Sequence, residues 1–232
     1  PTRFRRTLEL VRELRPDRVA LFSFAYLPEQ LPLQRRIAAA DLPSARDRLT
    51  MLESAQRLFC AHGYESIGMD HYALAGDSLA AAAREGRLHR NFQGYTTGGE
   101  LDLLGVGPTA ISQFRHLFSQ NQRDLKAWSA ALERDALPVE RGLVVRDPEV
   151  LERRELIRQV MCRFAVDLPG LHRFEREWRA LQALAADGLV ELERRGDHGA
   201  LRVTAAGRWL IRTIAAVFDP QQQHGAGGSR LL

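Results

Sequence analysis

The sequence predicts an α/β fold in its first half and a smaller, mainly helical unit in its second half. Short apolar runs rich in β-forming residues alternate with helical patterns over residues 1–120, in the order strand, loop, helix. After Asn121 the pattern changes, and from Asp147 onward the chain is charged and mainly helical. Because strands that alternate with helices form parallel sheets in α/β proteins, we predict parallel strands in the first half.

The elements of the first half follow from apolar spacing and from residues that begin or end helices. Pro16 follows the first amphipathic stretch, Ser44 is a good N-cap for the next long helix, and Gly63 ends that helix. Asp77 or Ser78 begins a short alanine-rich helix. The predicted elements are a helix over 1–14, a strand over 18–24, a loop over 25–32, a helix over 44–63, a strand over 64–69, a short helix up to residue 85 and an apolar, buried strand over 101–106.

A long polar loop precedes that last strand, and we call residues 88–100 the signature loop. Its sequence is Leu88-His89-Arg90-Asn91-Phe92-Gln93-Gly94-Tyr95-Thr96-Thr97-Gly98-Gly99-Glu100. Long loops with many side-chain donors are more often functional than short connectors, although a solvated surface loop is the open alternative. Since chemistry in α/β folds gathers where strands end, Ala25, His71, the signature loop and residues 105–112 are candidate positions.

The second half combines helices with one β-hairpin. Asp147 is an N-cap followed by Pro148 in the first helical position, and Thr204 caps a last helix. The predicted elements are a helix over 123–134, an extended piece within 137–145, helices over 147–164 and 171–186, hairpin strands over 189–193 and 200–203, a final helix, and a flexible tail over 220–232.

These ingredients also occur in winged-helix proteins, so a nucleic-acid-binding or regulatory function is the alternative hypothesis. The hairpin carries Arg194, Arg195 and Arg202, which favours this alternative. Glu and Arg alternate along the longest helices, for example over 152–155, and such a run is usually a solvated face. On DNA this pattern would place carboxylates against phosphates, which is unfavourable. We therefore expect no nucleic-acid partner.

Composition and cysteine usage limit the remaining functions. The net charge of +4 comes from 33 basic and 29 acidic residues, and Lys126 is the only lysine. Arginine binds carboxylates and phosphates bidentately, which is compatible with an acidic small molecule. Cys60 and Cys162 are expected to be buried thiols in a reducing, cytoplasmic protein, and their spacing forms no zinc or iron–sulfur motif. No apolar run is long enough to span a membrane.

Several motifs resemble those of the oxygen-independent coproporphyrinogen III oxidases, which belong to the radical S-adenosylmethionine (SAM) class. The resemblance covers nearly the whole chain. The motifs that carry it are Phe24-Ala25-Tyr26-Leu27-Pro28, Gly68-Met69-Asp70-His71-Tyr72-Ala73, Asn91-Phe92-Gln93-Gly94-Tyr95-Thr96-Thr97, Asp102-Leu103-Leu104-Gly105, Ala110-Ile111-Ser112, Ala186-Asp187-Gly188-Leu189-Val190 and Val203-Thr204-Ala205-Ala206-Gly207-Arg208.

The resemblance implies a fold and a reaction. In this family a three-quarter α/β barrel holds an iron–sulfur cluster that cleaves SAM, and the 5′-deoxyadenosyl radical removes hydrogen from two propionates of coproporphyrinogen III. Loss of CO2 and an electron leaves vinyl groups and gives protoporphyrinogen IX. Residues 1–120 would be the C-terminal part of the barrel, 121–146 a connection, 147–219 a small winged-helix-like helical domain and 220–232 the tail.

The resemblance also implies site residues. Ala25 and Ile111 would make apolar contacts with SAM, and Gln93 a polar contact with a second SAM molecule. For the substrate we expect Arg90 to bind a propionate, while Tyr95 shapes the pocket and His71 donates a proton or hydrogen bond. The alternatives are core packing for Ala25 and Ile111, a surface salt bridge for Arg90, packing for Tyr95 and a structural hydrogen bond for His71.

One departure from the family pattern is large. The three-cysteine CxxxCxC loop and the glycine-rich SAM segment are absent from these residues, and two cysteines cannot supply three thiolate ligands. We therefore expect the [4Fe-4S] cluster to be bound by a region outside this chain, and we expect the chain alone to be inactive. The complete enzyme would be a monomer that takes coproporphyrinogen III and an electron donor, without a membrane partner.

Overall fold

The computed structural model describes residues 2–220, and they form an α/β fold of seven α-helices and eleven short strands. The first part contains α1 (Thr2–Leu14), β1 (Arg18–Ala20), α2 (Ala45–Ala61), β2 (Tyr64–Gly68), β3 (His71–Leu74), α3 (Ser78–Arg84), β4 (His89–Asn91), β5 (Gly94–Thr96), β6 (Ile111–Gln113) and β7 (Leu117–Asn121). The second part contains α4 (Leu125–Glu133), β8 (Val139–Val144), α5 (Pro148–Arg163), β9 (Ala165–Pro169), α6 (Glu175–Ala186), β10 (Val190–Arg195), β11 (His198–Val203) and α7 (Ile211–Ala216). The predicted tail beyond Pro220 lies outside the described residues.

The strands form four small sheets, ordered β1-β3-β2, β4-β5, β6-β7-β8 and β10-β11-β9. Every strand pair within residues 2–220 is antiparallel, so the predicted parallel pairing is wrong for this part of the chain. The pairs β2–β3, β4–β5, β6–β7 and β10–β11 are joined by short turns, which allow only antiparallel neighbours. β1 and β2 do run parallel to each other with α2 between them, but β3 separates them in the sheet.

The predicted helix signals are confirmed by the caps. The Ser44 and Asp47 side chains form a capping box at the start of α2. The Asp77 carboxylate accepts the N–H of Leu79 at the start of α3, and the Asp147 carboxylate accepts the N–H of Glu149 at the start of α5. Local hydrogen bonds set these boundaries, so they are visible in the sequence.

Two predicted strands differ from the structure. The strand predicted over 18–24 ends at Ala20, after which the Phe22 and Phe24 side chains are 62% and 60% exposed. The segment 101–106 is exposed instead of being a buried strand, and its one bridge joins Leu103 to Gln113. Within residues 2–220 no element covers these apolar side chains, so their burial requires something outside the described part.

Two hydrophobic clusters hold the fold together. The smaller one joins α1 and α2 to the sheet of β1, β2 and β3 through Leu8, Phe59 and Tyr72. The larger one runs without interruption from α3 and the signature loop into α5, α6, α7 and the β9-β11-β10 sheet. The signature loop therefore shares a core with the C-terminal helices. No helix in the described residues has the length and apolarity required to cross a membrane.

An ion pair holds β1 against the start of α3. The Arg18 guanidinium donates through Nε to both carboxylate oxygens of Asp77, at 3.0 and 2.9 Å, and through Nη2 to the Ser78 hydroxyl. Burial opposes the charge on Asp77, but the bonds from Arg18 and from the N–H of Leu79 hold the pKa of the carboxyl below its ordinary value.

We expect this pair to stabilise the fold only above acidic pH. Because the folded-state pKa of Asp77 lies below its ordinary 3.8, its contribution is complete above that value and is lost as the pH falls through the folded pKa. Asp77→Asn keeps the N-cap and loses the charge, so it should lower the free energy of unfolding by about 0.5–1 kcal/mol at pH 7, because Arg18 is half exposed. Urea unfolding at pH 7 and pH 2 measures both values.

The difference between Asp77→Asn and the wild type should shrink toward zero at pH 2. Asp41→Asn, at an exposed carboxylate that forms no ion pair within residues 2–220, is the matched control and should change neither value. A deficit of Asp77→Asn that is the same at both pH values would contradict the electrostatic explanation.

Candidate functional site

The signature loop folds as the β4–β5 hairpin, and its central residue Tyr95 is buried, with 7% of its surface exposed. The Tyr95 hydroxyl donates a hydrogen bond of 2.8 Å to the carbonyl of Met161 in the last turn of α5. Carbonyls in the last turn of a helix have no partner within the helix. Burial raises the pKa of Tyr95, so the hydroxyl keeps its proton and remains a donor. This bond fixes the loop to α5.

Two glycines make room for this arrangement. A Cβ atom on Gly68, at the end of β2, would collide with the Tyr95 hydroxyl. Gly94, with φ +132°, lies so close to His71 that a Cβ would stand 2.8 Å from the His71 Nε2 atom. Both positions need glycine, because the backbone approaches a ring that cannot move away.

His71 stands beside Tyr95 at the start of β3. Its Nδ1 atom lies 2.8 Å from the Asp70 carboxylate, and both side chains are nearly buried. Since a carboxylate only accepts, Nδ1 carries a proton and Nε2 is left as an acceptor facing the loop. The centre of the His71 ring lies 5.2 Å from that of Tyr95 and 5.7 Å from that of Phe22, both in edge-on contacts. The Nη2 atom of Arg212 in α7 lies 3.9 Å from the Asp70 carboxylate. Contacts on several sides fix the imidazole.

Arg90 lies on β4 with its guanidinium carbon 4.9 Å from the centre of the Tyr95 ring. Its Nη1 atom is buried and makes no hydrogen bond within the described residues. Within residues 2–220 Arg90 also forms no salt bridge, so the alternative of a surface salt bridge is not observed there, whereas the predicted propionate contact stays a prediction.

A cavity of about 980 Å3 lies between the signature loop, β6, β7 and α5. Its wall combines arginine side chains with aromatic and aliphatic ones. The lining residues that matter below are Arg90, Phe92, Phe118, Arg154 and Arg158. Ligand cavities are commonly about 300–1,000 Å3, apolar in most of their wall, with a few oriented polar groups. This cavity suits a large ligand that is mainly apolar and carries negative charge.

Phe118 of β7 joins the two sides of the cavity. Its ring meets Phe92 of the loop edge-on at 5.7 Å, and the Arg154 guanidinium lies over it at 4.6 Å. Burial lowers the pKa of Arg154, and Glu155 opposes this shift only in part. Burial, followed by the charge of Arg158, also lowers the pKa of His89. The cavity wall is therefore a place where further negative charge is favoured.

The structure brings together three predicted site residues, His71, Arg90 and Tyr95. Gln93 is exposed in the turn between β4 and β5, where its N–H donates to the Asn91 side chain at 2.8 Å. Among the described residues, none of the three predicted SAM contacts, Ala25, Gln93 and Ile111, lines the cavity.

Two of those SAM candidates lie near strands. Ala25 is exposed on the segment after β1, where its carbonyl accepts a hydrogen bond of 3.0 Å from the Gln34 side chain. Ile111 begins β6, and its backbone lies so close to Gly105 that a Cβ there would stand 2.8 Å away. The predicted position directly after a strand is not observed for either residue, because β1 ends at Ala20 and Ile111 lies at the start of β6. Contact with a ligand stays a prediction.

Sequence reasoning missed the contribution of α5. It treated the run over 152–155 as a solvated face, but Arg153 forms a buried pair of 2.6 Å with Glu177, and Arg154 lines the cavity. A signal was present, because no acidic residue lies three or four positions from Arg154. The residues at those positions are Val150, Leu151, Ile157 and Arg158.

The described residues do not fit a metal cluster. They contain no group of three or more His, Cys, Asp or Glu side chains that could hold a metal ion. Cys162 is buried as predicted, and burial raises the pKa of its thiol to about 11. Cys60 is exposed on α2, which corrects the prediction that both thiols are buried. Since a thiolate is needed to bind iron, Cys162 is a poor ligand and no second cysteine stands beside it.

Comparison with known proteins gives a consistent set of relatives, although no protein-family model matches the chain. The oxygen-independent coproporphyrinogen III oxidase of Synechocystis sp. is 42% identical, over 95% of this chain and 49% of the relative. The enzyme of that name from Pseudomonas aeruginosa is 41% identical, over 94% of this chain and 48% of the relative. The one from Thermostichus vulcanus is 42% identical, over 97% of this chain and 70% of the relative.

A solved structure agrees with these relatives. Coproporphyrinogen III oxidase (HemN) from Escherichia coli, described as a radical SAM enzyme, superposes with a TM-score of 0.85 at 40% identity. The match covers 94% of this chain and 51% of that structure. The chain therefore spans about half the length of most of the curated relatives it matches.

Removing the Tyr95 hydroxyl should weaken the link between the loop and α5. Tyr95→Phe leaves the Met161 carbonyl without its partner in a buried place, which costs about 1–3 kcal/mol of unfolding free energy. Tyr26→Phe is the matched control, because the Tyr26 hydroxyl makes a longer bond of 3.2 Å in a partly exposed place, and it should cost at most about 0.5 kcal/mol. Urea unfolding measures both, and equal losses would refute the special role of Tyr95.

Proposed function

The chain belongs to the oxygen-independent coproporphyrinogen III oxidase family, and we propose that it supplies the substrate-facing half of such an enzyme. In the complete enzyme the reaction would be the anaerobic oxidative decarboxylation of two propionates of coproporphyrinogen III, giving protoporphyrinogen IX in haem biosynthesis. The observation that carries this proposal is the cavity beneath the signature loop, whose wall combines arginines with aromatic rings.

This wall matches the chemistry of the proposed substrate. A porphyrinogen is a large apolar ring system, which aromatic and aliphatic side chains such as Phe92 and Phe118 would contact. Its propionates are anions, which guanidinium groups bind with charge-assisted hydrogen bonds. Arg90 lines the cavity and would bind one propionate with its guanidinium group, which the Tyr95 ring holds in place.

His71 and Tyr95 would act by position. Asp70 holds the His71 ring so that Nε2 faces the loop, and there it can accept a hydrogen bond or, once protonated, donate one. Tyr95 shapes the wall and donates its only proton to Met161, so we assign it no proton transfer. Together they would hold the loop against α5 and limit the access of water to the site. Radical chemistry requires this exclusion of water.

SAM and a [4Fe-4S] cluster, when bound to the complete enzyme, supply the radical that begins the reaction. Because the described residues do not fit a cluster, its ligands would come from outside this chain. Two SAM molecules would contact Ala25, Ile111 and Gln93, whose partial or full exposure leaves them accessible. The contact of Phe22 with His71 supports this placement, since it brings the segment after β1 to the site.

The domain organisation is part of the proposal. Residues 1–120 would complete a three-quarter barrel together with residues outside the chain, 121–146 would connect, 147–219 would form a winged-helix-like domain and 220–232 a tail. The exposed apolar side chains on 21–24 and 101–106 support a missing neighbour in the barrel. Three helices and the β10–β11 hairpin support the winged-helix comparison.

The remaining assignments concern partners and location. We propose a monomer that works in the cytoplasm and receives its electron from a separate donor, and the free thiols Cys60 and Cys162 suit a reducing compartment. The nucleic-acid alternative loses much of its support, because two of its three hairpin arginines pair with carboxylates, Arg194 with Glu175 at 2.9 Å and Arg195 with Glu193 at 2.5 Å. These hairpin arginines are already occupied by carboxylates.

The complete enzyme and the 232-residue chain should behave differently. After anaerobic reconstitution with iron and sulfide, we expect the chain to bind no stoichiometric iron and to show no cluster absorbance. The polypeptide that also contains the cysteine loop should bind the cluster, consume SAM and convert coproporphyrinogen III. The measurements are iron analysis, absorbance, and porphyrin fluorescence after oxidation of the product.

Cluster absorbance in the chain alone would overturn the assignment of the ligands to another region. Absence of product from the reconstituted complete polypeptide, with SAM and a strong reductant present, would overturn the proposed activity.

A further inference from the structure

Four arginines line the cavity. Arg115 is exposed, whereas Arg90, Arg154 and Arg158 are partly buried and have incomplete sets of partners within residues 2–220. Arg90 extends from the signature loop, whereas Arg154 and Arg158 extend from α5. Two of the four buried side-chain donors without a hydrogen bond in the described residues are Arg90 Nη1 and Arg158 Nη1. An unpaired buried donor of a charged group lowers the stability of the folded protein. The occurrence of two such groups at one cavity suggests that an anion belongs there.

Arg154 is the most informative of the three. Its guanidinium lies on the Phe118 ring, and it makes no hydrogen bond or ion pair to a carboxylate within residues 2–220. The preceding residue, Arg153, behaves differently, because it reaches both Glu149 and Glu177. A partly buried cation that only stacks on a ring has lost hydration, and no anion compensates for that loss.

Arg158 lies one turn further along α5, on the same face. Its Nε atom donates to Glu155 at 2.7 Å and Nη2 is bonded to the same carboxylate, while Nη1 stays unpaired. Glu100 and Asp102 also line the cavity, but neither forms an ion pair with these arginines in the described residues. The side of α5 that faces the cavity therefore carries an excess of positive charge.

We propose that Arg154 and Arg158 of α5 bind carboxylate groups of the substrate opposite the Arg90 side of the cavity, and so select for a ligand with several carboxylates. The inference rests on the proposed function and deepens it. The planar guanidinium matches a carboxylate bidentately, and Phe118 holds Arg154 in the orientation that this requires. The C-terminal helical unit would thereby take part in substrate recognition instead of serving only as a cover.

The distance between the two arginine groups is fixed by the fold. The Tyr95–Met161 bond ties the loop to α5, and the Phe92–Phe118–Arg154 stack ties both to β7. A cavity with this fixed spacing favours a macrocycle with carboxylates around its periphery, because neither side of the cavity has to reorganise on binding.

Binding of coproporphyrin III, the air-stable oxidised form of the substrate, tests the inference on the 232-residue chain. Its affinity is measured from the quenching of tryptophan fluorescence, for which Trp128, Trp178 and Trp209 are the reporters. Arg154→Met keeps the apolar stem on Phe118 and removes the charge, and it should weaken binding about tenfold or more. Arg158→Met should act in the same direction.

Two controls separate charge recognition from a general loss of structure. Arg179→Met removes an exposed arginine of α6 that does not line the cavity, and it should leave the affinity unchanged. The tetramethyl ester of coproporphyrin III has no carboxylates, and Arg154→Met should bind it as the wild type does. Thermal unfolding checks each variant, and Arg154→Met decides the outcome if loss of the Glu155 pair unfolds Arg158→Met.

Equal affinity of the wild type and Arg154→Met for coproporphyrin III would overturn the inference and leave the proposed function intact. The inference also fails if the wild-type chain binds no coproporphyrin III. Failure of the proposed function is a different result, namely the absence of product from the reconstituted complete enzyme.

Discussion

The hydrogen bond between the Tyr95 hydroxyl and the Met161 carbonyl is the contact on which the site depends. Without this bond the Met161 carbonyl at the end of α5 would be unpaired in the core. The stability lost on removing the bond therefore includes the penalty of burying an unpaired carbonyl. The Tyr95 ring in turn supports the Arg90 guanidinium on its face and meets His71 at its edge. One buried phenol thus sets the positions of two side chains with possible chemical roles.

The same contact lies inside the larger hydrophobic cluster, which surrounds the site without interruption. The larger hydrophobic cluster passes from α3 through Leu88 and Tyr95 into α5, α6 and α7. Inside it, the Arg153–Glu177 pair is nearly buried, with side chains 14% and 5% exposed, so breaking it would leave an uncompensated charge. A disturbance of the C-terminal helices would consequently move the wall of the cavity.

Sequence reasoning predicts what depends on local interactions. The ends of α2 and α5 follow from Ser44 and from Asp147 with Pro148, since a cap acts within one turn. His71, Arg90 and Tyr95 were singled out, but their proximity depends on Gly68 and Gly94 allowing close approach. Strand pairing was predicted wrongly because it depends on distant partners, as in the pairing of β1 with β3 across α2 and β2.

The contact between Arg154 and Phe118 lay beyond sequence reasoning for a related reason, although the missing acidic neighbours of Arg154 were visible. This contact leads to a distinction between stability and binding. Phe118 is 36 positions earlier in the chain than Arg154, and nothing local marks the two as neighbours. A cation held half-buried without an anion destabilises the free protein, whereas the Tyr95 hydroxyl stabilises it. Truncation at Tyr95 must therefore cost both folding and binding. Truncation at Arg154 removes the desolvation penalty of the free protein and the contact with the anionic ligand. It should therefore weaken binding without lowering stability, as expected of a group whose orientation is fixed before its ligand binds.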